Sequence, residues 1–425
     1  MKHTALLLLS FFMVICIDAQ ESFDTFFTAG SLRIDFIMAG NATETEVYLT
    51  GMKKEPFWGG PVKHLDAPPG YGEYKVVLTD KASSKVIYTI GFSNLFNEWQ
   101  TTAEAHTTRR AYGQSVVMPF PKAPCTFELL CRNRENRFDT LLSHDIDPSD
   151  YFIVQEPPVE CKVTRLYYHG DPPVKVDLAI LAEGYTPEEM EKFRSDAKRL
   201  INKLLSVAPF DQYKDRFNVW LVESPSQQPG TDVPGEGIYV NTALGSSYYT
   251  FDLDRYLTTP EFITLRNYAA NVPCDHIIVL INSDRYGGGG IYNHYSASTA
   301  DHFLSPITFI HEFGHGFAGL GDEYYSSEVA YEEFYRKDVE PWEPNLTTLT
   351  DFDSKWKDML APGTPVPTPA DSAYQNIVGV FEGGGYSATG VYRPFIDCVM
   401  KSNMSGRFCP VCRRAIVRMI KYFTE

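Results

Sequence analysis

The chain is organised around the stretch His311-Glu-Phe-Gly-His-Gly-Phe-Ala-Gly-Leu-Gly-Asp322. Two histidines four residues apart on a helix project from the same face, so the imidazoles of His311 and His315 can bind one zinc ion. Glu312 lies between them and can act as the general base on a water that zinc activates. The pattern predicts a zinc hydrolase that cleaves peptide bonds. The alternative is that the two histidines only belong to a buried helix.

The residues around this pattern favour a helix that ends soon after His315. Ser305-Pro306 is a plausible helix start, because proline is well tolerated in the first turn. The second histidine is followed by three glycines: Gly316, Gly319 and Gly321. We expect these glycines to loosen the helix and let the chain turn back, so that a third ligand approaches the metal from a different direction.

Asp322 is the predicted third zinc ligand, since a carboxylate oxygen is a normal ligand for this metal. Glu323 is its competitor. In the alternative interpretation these two acidic residues form salt bridges at the surface. His294 and His302 lack the spacing to join the helix pair and are predicted to be polar surface histidines.

Three segments together resemble the bacterial IgA-peptidase-like zinc metallopeptidases: His311 to Tyr325, Tyr286-Gly-Gly-Gly-Gly-Ile-Tyr292 and Tyr392-Arg-Pro-Phe-Ile-Asp-Cys-Val-Met400. The resemblance covers about residues 160–425, and the region before it looks like the N-terminal domain that accompanies this family. It implies a metzincin-like zincin fold with a methionine turn beneath the zinc. Met400 matches the methionine of that turn.

The resemblance supports Asp322 as a ligand, although the spacing departs from the commoner metzincin pattern. In that pattern a glycine and the third ligand follow the second histidine by three and six residues, where this chain has Ala318 and Gly321. Gly319 and Asp322 each lie one residue later. The family takes its name from one member that cleaves immunoglobulin, and that name assigns no substrate to this chain.

An apolar run from Ala5 to Ile17 predicts a secretory signal peptide over residues 1–19. Cys16 raises the alternative of a lipid anchor, which is the weaker one because Ile15 is a poor residue for that cleavage. The run is too short to span a bilayer, and no other segment is predicted to be transmembrane. We expect an exported protein that is secreted, periplasmic or on the cell surface.

The length of 425 residues fits two domains better than one. The chain has 54 acidic and 38 basic residues, for a formal net charge of −16. Such a charge argues against nucleic acid or an anionic membrane surface as a partner. The expected partner is a protein or peptide substrate, for which a host or extracellular glycoprotein is one candidate. The oligomeric state does not follow from the sequence.

Residues 20–155 are predicted to form an all-β sandwich. Four segments are rich in strand-forming residues: Leu32–Met38, Thr45–Leu49, Tyr74–Leu78 and Lys85–Ile90. Cys125 and Cys131 either staple a loop as a disulfide or remain reduced and buried. The region contains no catalytic pattern, so a binding or positioning role is the hypothesis for it.

Prolines between residues 155 and 173 mark a boundary, beyond which strands and helices alternate over residues 160–425. The predicted strands are Val174–Ala182, Phe217–Val222 and His276–Ile281. The predicted helices are about Thr186–Val207, with a capping box at its start, about Pro260–Ala270, and Cys412–Phe423. This order predicts an α/β zincin domain with the zinc helix packed on one face of a sheet.

The glycines at 287–290 lack the Lys-Ser or Lys-Thr of a phosphate-binding loop. We expect them to let the backbone lie close to a substrate, with Ile291, Tyr292 and Tyr295 on an edge strand that pairs with an extended peptide. An ordinary flexible loop is the alternative. The polar and proline-rich residues 328–370 predict a long surface insertion over or beside the cleft.

Two tyrosines beyond the insertion, Tyr386 and Tyr392, are candidates to stabilise an oxyanion through the phenol, or they pack as ordinary aromatic residues. Removal of Cys16 with the signal peptide leaves seven of the eight cysteines, so at least one is unpaired or bonded to another molecule. The last three are Cys398, Cys409 and Cys412. They lack a fourth ligand for a zinc ribbon, and a disulfide among them that pins the methionine turn is the favoured interpretation.

These inferences combine into a secreted zinc endopeptidase. His311, His315 and Asp322 bind Zn²⁺, and Glu312 activates the water. One alternative is a zinc amidase or deacylase acting on cell-wall or small amides, which a closed pocket would favour. The other is a non-catalytic surface adhesin with a structural metal, which would have no need for the general base.

Overall fold

The computed structural model describes residues 23–325 and 334–425. The predicted signal peptide and its Cys16 lie outside these residues, as do residues 326–333 next to and within the predicted insertion. Within the described ranges, no helix has both the length and the apolarity that crossing a membrane requires.

The first part of the chain folds into two four-stranded sheets. Its strands are β1 (Phe27–Gly40), β2 (Thr45–Glu55), β3 (Tyr74–Asp80), β4 (Val86–Phe92), β5 (Arg110–Pro121), β6 (Cys125–Arg132), β7 (Phe138–Ile146) and β8 (Ile153–Val154). One sheet has the strand order β5-β1-β2-β8 and the other the order β4-β3-β6-β7. A short helix, α1 (Leu95–Gln100), lies between β4 and β5 in the chain.

One apolar core joins these two sheets. Along β3, fully buried residues alternate with half-buried ones, which is the pattern of a strand with one face in a core. Phe36 from β1 and Phe127 from β6 are both fully buried in this core, although they belong to different sheets. Three of the four segments with strand-forming composition fall within β1, β2 and β3, and Lys85–Ile90 lies within β4 except for Lys85, so these strand predictions are right.

The second part contains a six-stranded sheet and a two-stranded one. Its strands are β9 (Lys162–Tyr167), β10 (Val176–Glu183), β11 (Phe217–Glu223), β12 (His276–Ile281), β13 (Gly288–Ile291), β14 (Tyr295–Thr299), β15 (Phe381–Gly384) and β16 (Ser387–Arg393). The large sheet has the order β13-β14-β12-β10-β11-β9, with parallel pairs at its centre and antiparallel pairs at both edges.

Helices cover both faces of the large sheet. They are α2 (Met190–Leu204), α3 (Phe210–Tyr213), α4 (Phe262–Ala269), α5 (Ser305–Ala318) and α6 (Pro410–Thr424). In β10, Leu178 and Ile180 pack in one core with α2 and α5, whereas Ala179 and Leu181 pack in another with α4. Every residue of β10 and β12 is buried, as expected for parallel strands covered on both faces.

Helix α5 carries the histidine pattern. It begins at Ser305 with Pro306 in its first turn. It ends at Ala318 and is capped by Gly319, whose φ of +62° lies in the left-handed region that favours glycine. These helix ends agree with the sequence prediction. Gly316 differs, because it stays inside the helix. A Cβ added there would lie 2.6 Å from Cε1 of His276, so glycine lets α5 pack closely on the sheet.

The predicted capping box is present at the 3-10 turn Pro187–Glu189, which leads directly into α2, since the Thr186 N–H donates to Oε2 of Glu189 at 3.0 Å. The prediction of a surface insertion is wrong for part of residues 334–370. Trp356 is fully buried in the same core as α5, and its Nε1 donates to the Gly379 carbonyl at 2.8 Å. The polar and proline-rich composition indicated a surface segment, but large aromatic residues within it attach it to the core.

Two predictions near the edge of the sheet are also corrected. Tyr295 is fully buried and begins β14, so it is not on the edge strand, which ends at Ile291. His294 is not at the surface. Its ring stacks on Phe262 with centroids 3.5 Å apart, and its Nε2 lies 3.1 Å from Oε1 of Gln114 in the first part of the chain.

Seven cysteines lie in the described ranges, and none of them forms a disulfide there. Cys125 and Cys131 lie at opposite ends of β6, about 20 Å apart at the usual strand rise, so the reduced alternative is right. The predicted disulfide among Cys398, Cys409 and Cys412 is wrong. Their thiols are free, although Sγ of Cys398 and Sγ of Cys412 are only 3.8 Å apart.

The first part of the chain is packed directly against the second. The Ser93 N–H donates to the Tyr292 carbonyl at 2.9 Å, and Nε1 of Trp342 donates to Oε1 of Glu73 at 2.6 Å. The rings of Tyr71, Tyr292 and Trp342 are in mutual contact. The two parts of the chain are therefore joined by packed aromatic rings and by hydrogen bonds between their polar groups.

The close packing of α5 on the sheet can be tested with Gly316→Ala. The new methyl group would overlap His276 and the neighbouring Ser296, so we expect the free energy of unfolding to fall by about 1–3 kcal/mol. Gly51→Ala is the matched control, because no atom lies within 4 Å of the added Cβ. Chemical denaturation of both variants makes the comparison. Equal stability for Gly316→Ala and the parent would contradict the packing argument.

Candidate active site

Three side chains converge beside helix α5. Nε2 of His311 and Nε2 of His315 are 3.0 Å apart, and Oδ1 of Asp322 lies 3.1 Å and 3.3 Å from these two atoms. Zinc bonds of about 2.0–2.1 Å in tetrahedral geometry place neighbouring nitrogen and oxygen ligands about 3.3 Å apart. The three residues therefore fit a zinc ion with three protein ligands. Oδ1 of Asp322 is buried without a hydrogen-bond partner, as expected for an atom that binds a metal.

Backbone carbonyls orient both imidazoles. Nδ1 of His311 lies 2.9 Å from the Val399 carbonyl, and Nδ1 of His315 lies 2.5 Å from the Leu320 carbonyl. A carbonyl accepts, so each Nδ1 carries a proton, and Nε2 is the nitrogen left to bind a metal once it has no proton. This is the tautomer that a metal ligand needs.

Asp322 reaches the histidines because the chain reverses at Gly319. Glu323, the competing candidate, points to the opposite side, where its Oε1 lies 3.1 Å from Sγ of Cys412. Asp322 is 5% exposed and Glu323 is 0% exposed, so the alternative of a surface salt-bridge pair does not describe them. The structure brings His311, His315 and Asp322 together and leaves Glu323 apart.

The Tyr386 hydroxyl donates a hydrogen bond of 2.6 Å to Oδ2 of Asp322. This bond holds the carboxylate with Oδ1 directed at the histidines. Tyr392, the other candidate for oxyanion stabilisation, lies on β16 and does not line the cleft. Tyr324 does line the cleft and also interacts with Asp322, a role that sequence patterns did not indicate.

Burial and the carboxylate of Asp322 determine the pKa shifts in the site. Burial opposes a charge on His315, but the neighbouring Asp322 outweighs it and raises the pKa of His315 to about 9. Burial would raise the pKa of Asp322, yet His315 and His311 hold that pKa below its usual range. Burial also raises the pKa of Glu312, which makes its carboxylate a stronger proton acceptor.

Glu312 lies directly against the edge strand β13. A Cβ added to Gly288 would lie 2.7 Å from Oε1 of Glu312, and one added to Gly290 would lie 2.8 Å from Cβ of His315. The glycines were expected to bring backbone close to a substrate. That expectation stays a prediction, and the structure adds that Gly288 and Gly290 make room for the side chains of α5.

The site opens into a cleft of about 510 Å³ between the two parts of the chain. One wall comes from the second part and includes Arg255, Tyr256, Tyr286 and Trp342. The other comes from the first part and includes Glu73, Asn94, Asn97 and Glu98. The Tyr256 hydroxyl donates to Oε2 of Glu98 and so connects the two walls. These residues are far apart in sequence and belong to no local motif, so only the fold identifies them.

Met400 lies beneath helix α5 and is fully buried. Its Sδ would be 2.9 Å from a Cβ added to Gly314, the residue directly before His315. The adjacent Val399 provides the carbonyl that orients His311. The carbonyl of Met400 accepts a hydrogen bond of 2.8 Å from the N–H of Glu323. One short turn therefore contacts both the helix and the segment that carries Asp322.

The comparisons with known proteins agree with this arrangement. Residues 165–374 and 370–420 match the family described as IgA Peptidase M64, and residues 22–143 match the domain described as Peptidase M64 N-terminus. A search of curated proteins gives no match to this chain. The resemblance inferred from the sequence and the expected two-domain organisation are confirmed. Because the family match covers more than half of the chain, this protein belongs to the IgA peptidase M64 family and is a peptidase.

Proposed function

We propose that this protein is an exported, zinc-dependent endopeptidase whose ligands are His311, His315 and Asp322. The observation that carries the proposal is the triangle of two Nε2 atoms and one Oδ1 atom with edges of 3.0–3.3 Å, in which both Nδ1 atoms are held by backbone carbonyls. Three protein ligands leave a fourth position for water or substrate, which is the usual composition of a catalytic zinc site.

A bound zinc ion would supply a water of lowered pKa and would polarise the scissile carbonyl. Glu312 accepts the proton of the attacking water and then returns it to the departing amine. Tyr386 holds Asp322 in place, and Met400 packs under the helix that carries the histidines. The water adds to the carbonyl carbon, and the C–N bond breaks to give a carboxylate and an amine.

An extended peptide is the substrate that the cleft fits best. Strand β13 is the edge strand of the large sheet and passes beside Glu312. The Gly288 carbonyl already accepts a hydrogen bond of 3.2 Å from the Leu257 N–H, so an added strand would pair with β13 beyond this bridge, towards Ile291. The cleft runs between two domains and is lined by both, which favours a polypeptide over the small amide expected for a closed pocket. A protein substrate follows from this interpretation, and a host or extracellular glycoprotein is one candidate.

We also propose the domain limits and fold type that go with this function. Residues 1–19 would be removed on export, residues 20–155 would form the N-terminal β-sandwich domain, and residues 160–425 would form a metzincin-like catalytic domain. The six-stranded sheet with α5 on one face and Met400 beneath it supports the fold type.

The roles of Glu312 and His315 are separable by mutation. Glu312→Gln removes the proton acceptor and leaves the metal ligands, so zinc content should stay at the parent value while kcat falls by roughly 10²–10⁴-fold. His315→Ala removes a ligand and should lose both zinc and activity. The measurement is digestion of a broad peptide library, followed by mass spectrometry, beside zinc analysis of each variant.

Glu160→Gln, at an exposed position between the domains, is the matched control and should cleave as the parent does. Parent-like cleavage by Glu312→Gln would refute the proton-acceptor role. Zinc binding without cleavage of any peptide by the parent would instead favour the amidase or adhesin alternatives.

Tyr386→Phe should weaken zinc binding by roughly 10–100-fold, because it deletes the hydrogen bond that orients Asp322 and leaves the ring in place. Competition with a chelator measures the affinity. Tyr392→Phe removes the same atom from a residue outside the cleft and should not change the affinity. Equal affinities for the two variants would show that Tyr386 does not orient the ligand.

Gly288→Ala tests the contact between β13 and the proton acceptor. The added methyl group would displace the Glu312 carboxylate, and a displacement near 1 Å can cost roughly 10²-fold in rate. We expect kcat to fall while zinc content and fold are retained. Gly51→Ala, far from the site, is the control. An unchanged kcat would mean that the carboxylate can act from a different position.

A further inference from the structure

A second group of metal-binding side chains lies on the far side of the segment that carries Asp322. It consists of the thiols of Cys398, Cys409 and Cys412 and the carboxylate of Glu323. The four ligand atoms all lie within 4.8 Å of one another, and all four residues are at most 2% exposed. Burying charged thiolates and a carboxylate costs free energy of folding unless these groups are paired or bind a metal.

Two distances in this group are close to those expected around a tetrahedral metal. Zinc–sulfur bonds of about 2.3 Å place two thiolates about 3.8 Å apart, and a thiolate and a carboxylate oxygen about 3.5 Å apart. Sγ of Cys398 and Sγ of Cys412 are 3.8 Å apart, and Sγ of Cys412 is 3.1 Å from Oε1 of Glu323. Three sulfurs and one oxygen would complete four-coordination with protein atoms alone.

Glu323 provides an independent indication of a missing ligand. Its residue is fully buried, and its Oε2 has no hydrogen-bond partner. Its Oε1 accepts a hydrogen bond of 3.0 Å from Nδ2 of Asn345. This bond holds the carboxylate with Oε1 beside Sγ of Cys412. The buried guanidinium of Arg393 lies close enough to interact with this carboxylate electrostatically and offsets part of the negative charge.

The backbone around the thiols is arranged for thiolates. Cys409 is the N-cap of α6, and its Sγ accepts from the N–H of Cys412 at 3.5 Å. Sγ of Cys398 accepts from the N–H of Cys409 at 3.3 Å. A helix N-terminus and backbone N–H donors both stabilise negative sulfur. Only two residues separate Cys409 from Cys412, a spacing that lets one turn present two sulfurs to one ion.

We propose that Cys398, Cys409, Cys412 and Glu323 bind a structural zinc ion, separate from the catalytic one. Complete burial and four protein ligands leave no position for substrate, which is the composition of a structural site. The proposal does not depend on the peptidase mechanism, since it uses none of the same ligands.

This ion would support the active site through the backbone. Glu323 directly follows Asp322, and Cys398 directly precedes Val399, whose carbonyl orients His311. The Glu323 N–H also donates to the Met400 carbonyl. A metal that joins Glu323 to Cys398 would therefore hold together the two segments on which the catalytic ligands rely.

The test is metal analysis and cobalt substitution of the full-length protein, purified without reductant. We expect about two zinc atoms per chain. The cobalt-substituted protein should show the intense near-ultraviolet charge-transfer absorption of thiolate bound to cobalt, which a site of two histidines and one aspartate cannot give. One zinc per chain without this absorption would overturn the proposal, as would a Cys398–Cys412 disulfide found by alkylation and mass spectrometry.

Variants assign the signal to the residues. His315→Ala should lose about one metal atom and keep the thiolate absorption, whereas Glu323→Gln and Cys409→Ser should weaken or lose it. The half-buried Cys161 provides the matched control, and Cys161→Ser should keep both metals. If Cys409→Ser does not fold, the thiolate absorption of the cobalt-substituted parent protein still shows whether the second site binds a metal. Thiolate absorption in a protein without peptidase activity would refute only the proposed function, whereas its loss in His315→Ala would refute the second site.

Discussion

Two hydrogen bonds, from the Nδ1 atoms of the paired histidines to backbone carbonyls, are the constraint on which the rest of the site depends. One carbonyl belongs to Val399 and the other to Leu320, so the two rings are held from segments far apart in the chain. A helix alone would place both imidazoles on one face but would leave their rotation and tautomer open. The turn at 398–400 and the reversal after α5 remove that freedom before any metal binds.

Close contact between backbone and helix is the second requirement. Gly288 and Gly290 on the edge strand and Gly316 within α5 all stand where a Cβ would overlap a neighbouring side chain. Helical glycine normally lowers stability, and here the loss is offset by packing that brings the sheet, the histidines and Glu312 within reach of one another. The polar residues of the site are thus positioned by the apolar sheet beneath them.

Local sequence patterns were sufficient for much of this structure. The histidine pair, the capping box before α2, three central strands of the large sheet and the end of α5 all depend on residues close together in the chain, where spacing and propensity apply. The failures concern contacts between distant residues. Nothing near Trp356 or His294 indicates burial, and the fourth partner of the three cysteines, Glu323, lies 75 residues before Cys398. The sequence indicated Tyr386 as a candidate hydrogen-bond donor to an oxyanion, but its partner, Asp322, is revealed only by the fold.

The aromatic contact between the two domains has a consequence for the ancestry of the protein. Tyr292 and Trp342 of the catalytic part are covered by Tyr71, and Trp342 also needs the acceptor on Glu73. A gene rearrangement that joined the catalytic half to a different domain would uncover these rings and leave the partly buried Nε1 of Trp342 without its acceptor. The two halves are therefore expected to be inherited together. During evolution, a substitution at Glu73 should be accompanied by one at Trp342.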